Sequence, residues 1–160
     1  MKLWPSDSFD IETTLSPEEI VASLRSAIEP ARMFRFSSKH ATFQGELTSD
    51  GFKMSRIIHY RNSFLPVVHG TFRAGDSGRI VSIKMRLNLF VAAFMCIWFT
   101  GVGLAVLAFT VGFLRGKIQP SPMLLIPFGM LVFGWALVSG GFWSEARKQK
   151  RMLVEMFTKR

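Results

Sequence analysis

His59 and His69 are the residues in this chain whose type and spacing most readily suggest chemistry. A hairpin centred on Phe64 would set them nearly opposite each other on two antiparallel strands, where paired imidazoles can share a metal ion. The set stops at two, because no Cys, Asp or Glu stands near them in sequence to complete a zinc sphere. Two half-exposed sheet histidines are the plainer reading. Between them lie Arg61, Asn62, Ser63, Phe64 and Leu65, which bring cationic, amide, hydroxyl and aromatic groups onto one expected loop. Loops held by a sheet commonly carry recognition, so these five residues form the candidate recognition loop. The competing reading has Asn62 and Ser63 bonding the turn backbone while Phe64 and Leu65 pack on the core or dip into lipid. Ser63 does not read as a nucleophile, since neither histidine has an adjacent carboxylate to orient it as a base. The sole cysteine, Cys96, lies in a long apolar run, which excludes an intramolecular disulfide and a thiolate metal cluster. No catalytic residue, metal-ligand set or cofactor is expected.

The elements that must position these residues are organised around residues 87–144. Two uncharged runs, 87–114 and 118–144, are separated only by Arg115, Gly116 and Lys117. Each exceeds the roughly 20 apolar residues that cross a bilayer core. They read as a transmembrane helical hairpin, with spans at 88–113 and 122–143. Gly101, Ala105, Ala108 and Gly112 in the first run, and Ala136 and Gly140 in the second, suit close helix packing within the hairpin or between copies, the former preferred. The absence of charge inside either run argues against a transporter or pump.

The net charge of +9 suits either nucleic acid or an anionic membrane surface. Position favours the membrane: Lys84 and Arg86 abut the first span, and Arg147, Lys148, Lys150 and Arg151 follow the second. These six are the candidate lipid-headgroup contacts, and no nucleic acid is expected. Arg73, Arg79, Lys159 and Arg160 add to the same flanks, against Arg115 and Lys117 in the turn. The positive-inside rule then places both termini in the cytoplasm. The first ten residues hold one Lys and no apolar core, so no cleavable signal is expected.

The remaining residues read as a small α+β domain. Residues 8–15 alternate as a strand. Ser16-Pro17-Glu18-Glu19 is a capping box with proline at the first helical position, and Ile20, Leu24, Ala27 and Ile28 recur at helical spacing up to Pro30. Met33, Phe34 and Phe36 fit either a short strand or a last helical turn. Strands follow at 42–48, 52–60, 65–74 and 81–87, the last with Val81, Ile83, Met85 and Leu87 facing in. In the second of these Arg56 interrupts a face made by Phe52, Met54, Ile58 and Tyr60, which calls for a bulge or, less favoured, an exposed margin. Residues 144–160 form a basic amphipathic helix with Ala146, Leu153, Met156 and Phe157 on one stripe. That stripe either lies on the membrane surface or, as preferred, folds back over the sheet, which one helix would leave partly bare.

The segment Tyr60-Arg61-Asn62-Ser63-Phe64-Leu65-Pro66-Val67, with Gly70 and with Met85-Arg86-Leu87 entering an apolar hairpin, resembles a group of small, uncharacterised bacterial two-span membrane proteins. The resemblance covers about residues 52–98. It implies a bacterial inner membrane and carries no activity or ligand. The order of elements is also similar to a reduced helix-grip arrangement, on architecture alone.

The expectation is thus an α+β protein with a small antiparallel sheet of four or five strands and one or two helices on one face. A two-helix transmembrane hairpin is inserted before the carboxy-terminal helix. The domains are 1–86 (cytoplasmic), 87–143 (hairpin) and 144–160 (basic helix). The function expected is a membrane-docked binding module for a protein partner or amphipathic ligand near anionic headgroups. The alternative is a structural or accessory subunit of a membrane complex or homo-oligomer. A membrane-associated enzyme or metal-binding protein comes third, for want of a nucleophile, base and metal constellation.

Overall fold

The computed structural model describes residues 4–30, 41–48, 50–75, 78–119 and 121–158. The chain divides into two compact units, Met1–Asn88 with Gly141–Arg160, and Leu89–Gly140.

The first unit is α+β. Its strands are β1 (Ser6–Thr13), β2 (Ile28–Glu29), β3 (Phe43–Leu47), β4 (Gly51–Arg56), β5 (Val67–Gly75) and β6 (Gly78–Arg86), and helix α1 (Pro17–Ala27) follows β1. They form one sheet in the order β1-β6-β5-β4-β3-β2. Six strands stand where four or five were expected, and the sheet is mixed because β2 pairs parallel to β3. A two-residue strand is too short to carry a period-two signal, and this one begins at the extended C-cap of α1. The expected Met33, Phe34 and Phe36 element and the tail cations Lys159 and Arg160 lie outside the described residues.

Local chemistry starts α1 as read. The Ser16 side chain accepts from the Glu19 amide at 3.2 Å, and the Glu19 carboxylate accepts from the Ser16 amide at 2.7 Å. Helix α1 buries Ile20 and Leu24 against the sheet's inner face. That face carries Phe43, Met54, Val68, Val81, Ile83 and Met85, none more than 1% exposed. Burying side chains of this size contributes about 1.5–3 kcal/mol each before the entropy of ordering them is subtracted. The Gly70 backbone leaves room for Phe52, buried on the same face, since a Cβ there would lie 2.2 Å from the Phe52 ring.

The inner face is completed from the far end of the sequence. Helix α3 spans Leu125–Thr158 without a break, so the second apolar run and the basic tail are one helix. Residues 141–158 of α3 belong to the first unit and fold back over the sheet. Phe142, Ala146, Leu153 and Phe157 are buried there. The Phe157 ring lies 6.3 Å from that of Phe52, and the Thr13 hydroxyl donates to the Phe157 carbonyl at 2.8 Å.

The second unit holds α2 (Leu89–Leu114), a 3-10 turn at Pro122–Leu124 and the first part of α3. Both helices are long and apolar enough to cross a membrane. Helix α2 ends on Gly116 at φ +65, with the Gly116 amide donating to Phe113 O and the Lys117 amide to Gly112 O, both at 2.9 Å. This glycine-capped pattern satisfies carbonyls that a helix end would otherwise leave open. Of the expected small-residue glycines only Gly112 is closely approached, by Ile118 of the turn, and the other close approach in the unit is at Gly134. A Cβ on Gly101 or Gly140 would meet nothing within 4 Å, whereas one on Gly134 would meet the Trp98 ring at 2.4 Å. Gly134 seats Trp98 and Gly112 seats Ile118, which an added Cβ would meet at 2.5 Å, while Gly101, Gly103, Gly129 and Gly140 stand open.

Candidate functional site

Helical spacing on α3 brings two polar residues onto the stripe that faces the sheet. Glu145 and Gln149 are each 0% exposed, between the apolar positions Phe142 and Leu153. A buried carboxylate must find charged or hydrogen-bonded partners, because desolvation otherwise costs several kcal/mol. Three donors converge on Glu145. Arg56 Nη1 lies 2.7 Å from Glu145 Oε2, Lys148 Nζ lies 2.9 Å from Glu145 Oε1, and the Tyr60 hydroxyl donates to Oε1 as well.

This explains the interruption at Arg56, and corrects the bulge. β3 and β4 pair in continuous register from Leu47↔Phe52 to Phe43↔Arg56. Arg56 therefore stays on the inner face, and it reaches Glu145. The strand ends at Arg56 and not at Tyr60, so Ile58 and Tyr60 continue in irregular chain. Burial by itself would push the Glu145 carboxyl up. The hydrogen bonds from Lys148, Tyr60 and Arg56, together with the Arg56 charge, outweigh it and hold the group below the ordinary glutamate value. Glu145 is a committed anion with almost no solvent contact, suited to fixing α3 on the sheet and closed to a substrate.

The expected recognition loop runs beside this cluster, and α3 holds part of it. Asn62 Nδ2 donates to Gly141 O at 3.0 Å, while Asn62 Oδ1 accepts from the Phe64 amide at 2.9 Å. A Cβ on Gly141 would lie 2.9 Å from Phe64 Cδ2, so the helix can admit the loop here only at a glycine. Gln149 Nε2 faces Pro66 O at 3.5 Å, and Gln149 Oε1 is buried without a hydrogen-bond partner among the described residues. Asn62 and Phe64 are spent on holding the loop. Arg61 and Ser63 remain exposed on it, and Leu65 is half-buried.

The histidines do not meet. His69 pairs in register with Lys53 on β4 and Lys84 on β6, while His59 lies beyond the end of β4. The hairpin expected around Phe64 fails because ten residues, 57–66, separate the paired strands instead of a tight turn. Burial, Lys53 and Arg86 push the His69 imidazole below its ordinary value. Among the described residues no three His, Cys, Asp or Glu side chains converge as a metal site.

Of the expected headgroup contacts, Lys84, Arg86, Arg147 and Arg151 are exposed. Two others have partners within the protein: Lys148 on Glu145, and Lys150, whose Nζ sits 4.3 Å from the Phe9 ring centre and 3.9 Å from Asp7. Sequence reading missed Glu145 as an organising residue. The available signal was a pair of opposite charges, Arg56 and Glu145, each falling on a face that is otherwise uncharged.

No protein-family model matches this chain, and neither a curated protein nor a solved structure matches it.

Proposed function

We propose that this protein resides in a bacterial inner membrane with both termini in the cytoplasm, and that its α+β unit is an interaction module held at the membrane surface. One observation carries the reading. Only 6% of the apolar window of α2 and 17% of that of α3 is buried, which is foreign to the core helix of a soluble domain. Phe90, Phe94, Ile97, Leu104, Leu107 and Phe133 all stand exposed, far beyond the apolar patch a soluble monomer tolerates. At 1.5 Å per residue, the 26 residues of α2 extend about 39 Å, enough for a hydrocarbon core about 30 Å thick. The cationic flanks support the orientation, and Arg61 with Ser63 supports the binding role, as an exposed pair on a loop held from behind.

Carbonate washing of membranes from expressing cells tests the anchor. The full chain is expected to stay in the pellet; release into the supernatant would remove the reading. A photo-crosslinker at Ser63, with Arg61→Ala as the competing variant, tests the loop. The same adducts with and without Arg61 would show that the loop does no recognition.

A second reading, a subunit of a membrane complex or a homo-oligomer, draws support from Gly101, Gly103 and Gly140, where an added Cβ would meet nothing. Disulfide trapping from Gly101→Cys in a Cys96→Ser background distinguishes it, since a membrane-anchored monomer gives no dimer band.

A further inference from the structure

The sheet has a second face, turned away from α1 and the end of α3. Register places side chains there that sequence order keeps apart. One row across the strands reads Ser8, Lys84, His69, Lys53, Glu46. The next reads Ser6, Arg86, Val67, Ser55, Gln44. Lys53, His69, Lys84 and Arg86 are all exposed. Neighbouring strands lie about 4.8 Å apart, so Lys84 and Lys53 flank His69 at a separation of roughly 10 Å. Arg86 stands about 7 Å from Lys84 along the same strand. Burial first, and then the charges of Lys53 and Arg86, lower the His69 imidazole, so both cations act on it. Four acids share this face: Glu46, directly opposite Lys53 at the β3 end of the row, Glu29 on the edge strand β2, and Asp10 and Glu12 on the edge strand β1.

We propose that this open face binds the phosphate headgroups of anionic phospholipid through Lys53, Lys84 and Arg86, with His69 between them. The proposal rests on the membrane reading above. Charge complementarity supplies the class of ligand, and the chain supplies its source. Arg86 precedes Leu89, the first residue of an apolar helix, by three residues, so at about 3.5 Å per residue it stays within about 11 Å of that helix start. Cations tethered this close to the start of such a helix have phospholipid phosphate as the nearest source of anion. Each such Lys or Arg strengthens attachment to an anionic surface about fivefold, and added salt weakens it.

The test uses the full chain in uncharged detergent micelles doped with phosphatidylglycerol or, as a control, phosphatidylcholine. The readout is the backbone amide signals of Lys53, His69 and Lys84, which report this face separately from Arg147 and Arg151. Phosphatidylglycerol is expected to shift the three signals saturably, with phosphatidylcholine leaving them in place. The double variant Lys53→Gln/Lys84→Gln is expected to weaken that binding about 25-fold, at about fivefold per charge. Lys53→Arg/Lys84→Arg should preserve it, and unchanged Val81 and Ile83 amides would show that each variant is folded. Equal shifts with phosphatidylcholine overturn the proposal, as does undiminished binding by the Gln variant. Tighter saturation by inorganic phosphate or by an oligoglutamate peptide at matched ionic strength also overturns it, in favour of a soluble anion or an acidic partner. A chain that carbonate strips from membranes refutes the membrane reading itself, whereas one that stays anchored but ignores phosphatidylglycerol refutes only this inference.

Discussion

Arg56 and Glu145 lie 89 positions apart in the chain, and their charged groups meet at 2.7 Å under the carboxy-terminal part of α3. Glu145 is 1% exposed at its side chain and Arg56 is 22% exposed, so the anion is the partner that depends on the contact. Removing Arg56 leaves a buried carboxylate short of one donor, and removing Glu145 leaves three donors without their acceptor. Breaking a buried pair costs more than deleting both members. Glu145→Ala is expected to destabilise the protein by about 2–4 kcal/mol, and Arg56→Met by a similar amount. The double variant Arg56→Met/Glu145→Ala should lose less than the two single losses added together. Chemical denaturation in detergent, followed through the far-ultraviolet signal of the sheet, measures the cycle. Strict additivity would mean that the pair is not coupled.

The same carboxylate fixes an acid dependence. Its donors hold Glu145 below the ordinary value of 4.5, so the unfolded chain takes up a proton on this group before the folded one does. The stability it contributes is complete above about pH 4.5 and is lost as pH falls through the lowered value. Glu145→Gln cannot titrate, and the acid limb of its stability curve should be shallower than that of the parent. Superimposable acid limbs would show that other carboxylates set the slope.

Asn62 anchors the exposed loop through Gly141 O and the Phe64 amide, so its side chain is expected to be structural. Asn62→Ala should cost about 1–3 kcal/mol and release the Phe64 amide to fast hydrogen exchange. Gly141→Ala should release the same amide by steric means, because the new methyl would meet Phe64. Arg61→Ala should leave that protection intact. Exchange rates at Phe64 that ignore both Asn62 and Gly141 would contradict the arrangement.

Gly70 is the position where the core tolerates no side chain on β5. The Phe52 ring would meet an added Cβ at 2.2 Å, and Phe52 also contacts Phe72 and Phe157 at ring distances of 5.9 and 6.3 Å. Gly70→Ala is expected to cost about 1–3 kcal/mol through displacement of that ring. Thermal unfolding measures it, and an unchanged midpoint would mean that Phe52 moves aside freely.

Much of this fold was legible in the sequence wherever one local rule sufficed. The Ser16 capping box, the alternation of Val81, Ile83 and Met85, and the two uncharged runs each announce an element without help from the rest of the chain. Pairings set by tertiary contact were not legible. The two-residue strand at Ile28 exists only because β3 lies beside it. Along the sequence Arg56 reads as a defect, because its partner sits on a helix from the other end of the chain. Pairing His59 with His69 takes the shortest hairpin, whereas the chain between β4 and β5 is ten residues long, with Tyr60, Asn62 and Pro66 bonded to α3. The basic row Lys84, His69, Lys53 is a product of register, and no reading along the chain brings those three together.

The proposed topology, in which residues 89–114 and 122–143 cross the membrane with both ends of the chain in the cytoplasm, is tested by cysteine accessibility. In a Cys96→Ser background, a cysteine placed at Gln119 or at Arg151 is challenged with a membrane-impermeant maleimide in intact bacterial cells with a permeabilised outer membrane. Gln119→Cys is expected to be labelled at once, and Arg151→Cys only after the inner membrane is opened. Labelling of Arg151→Cys in intact cells, or protection of Gln119→Cys, would contradict it.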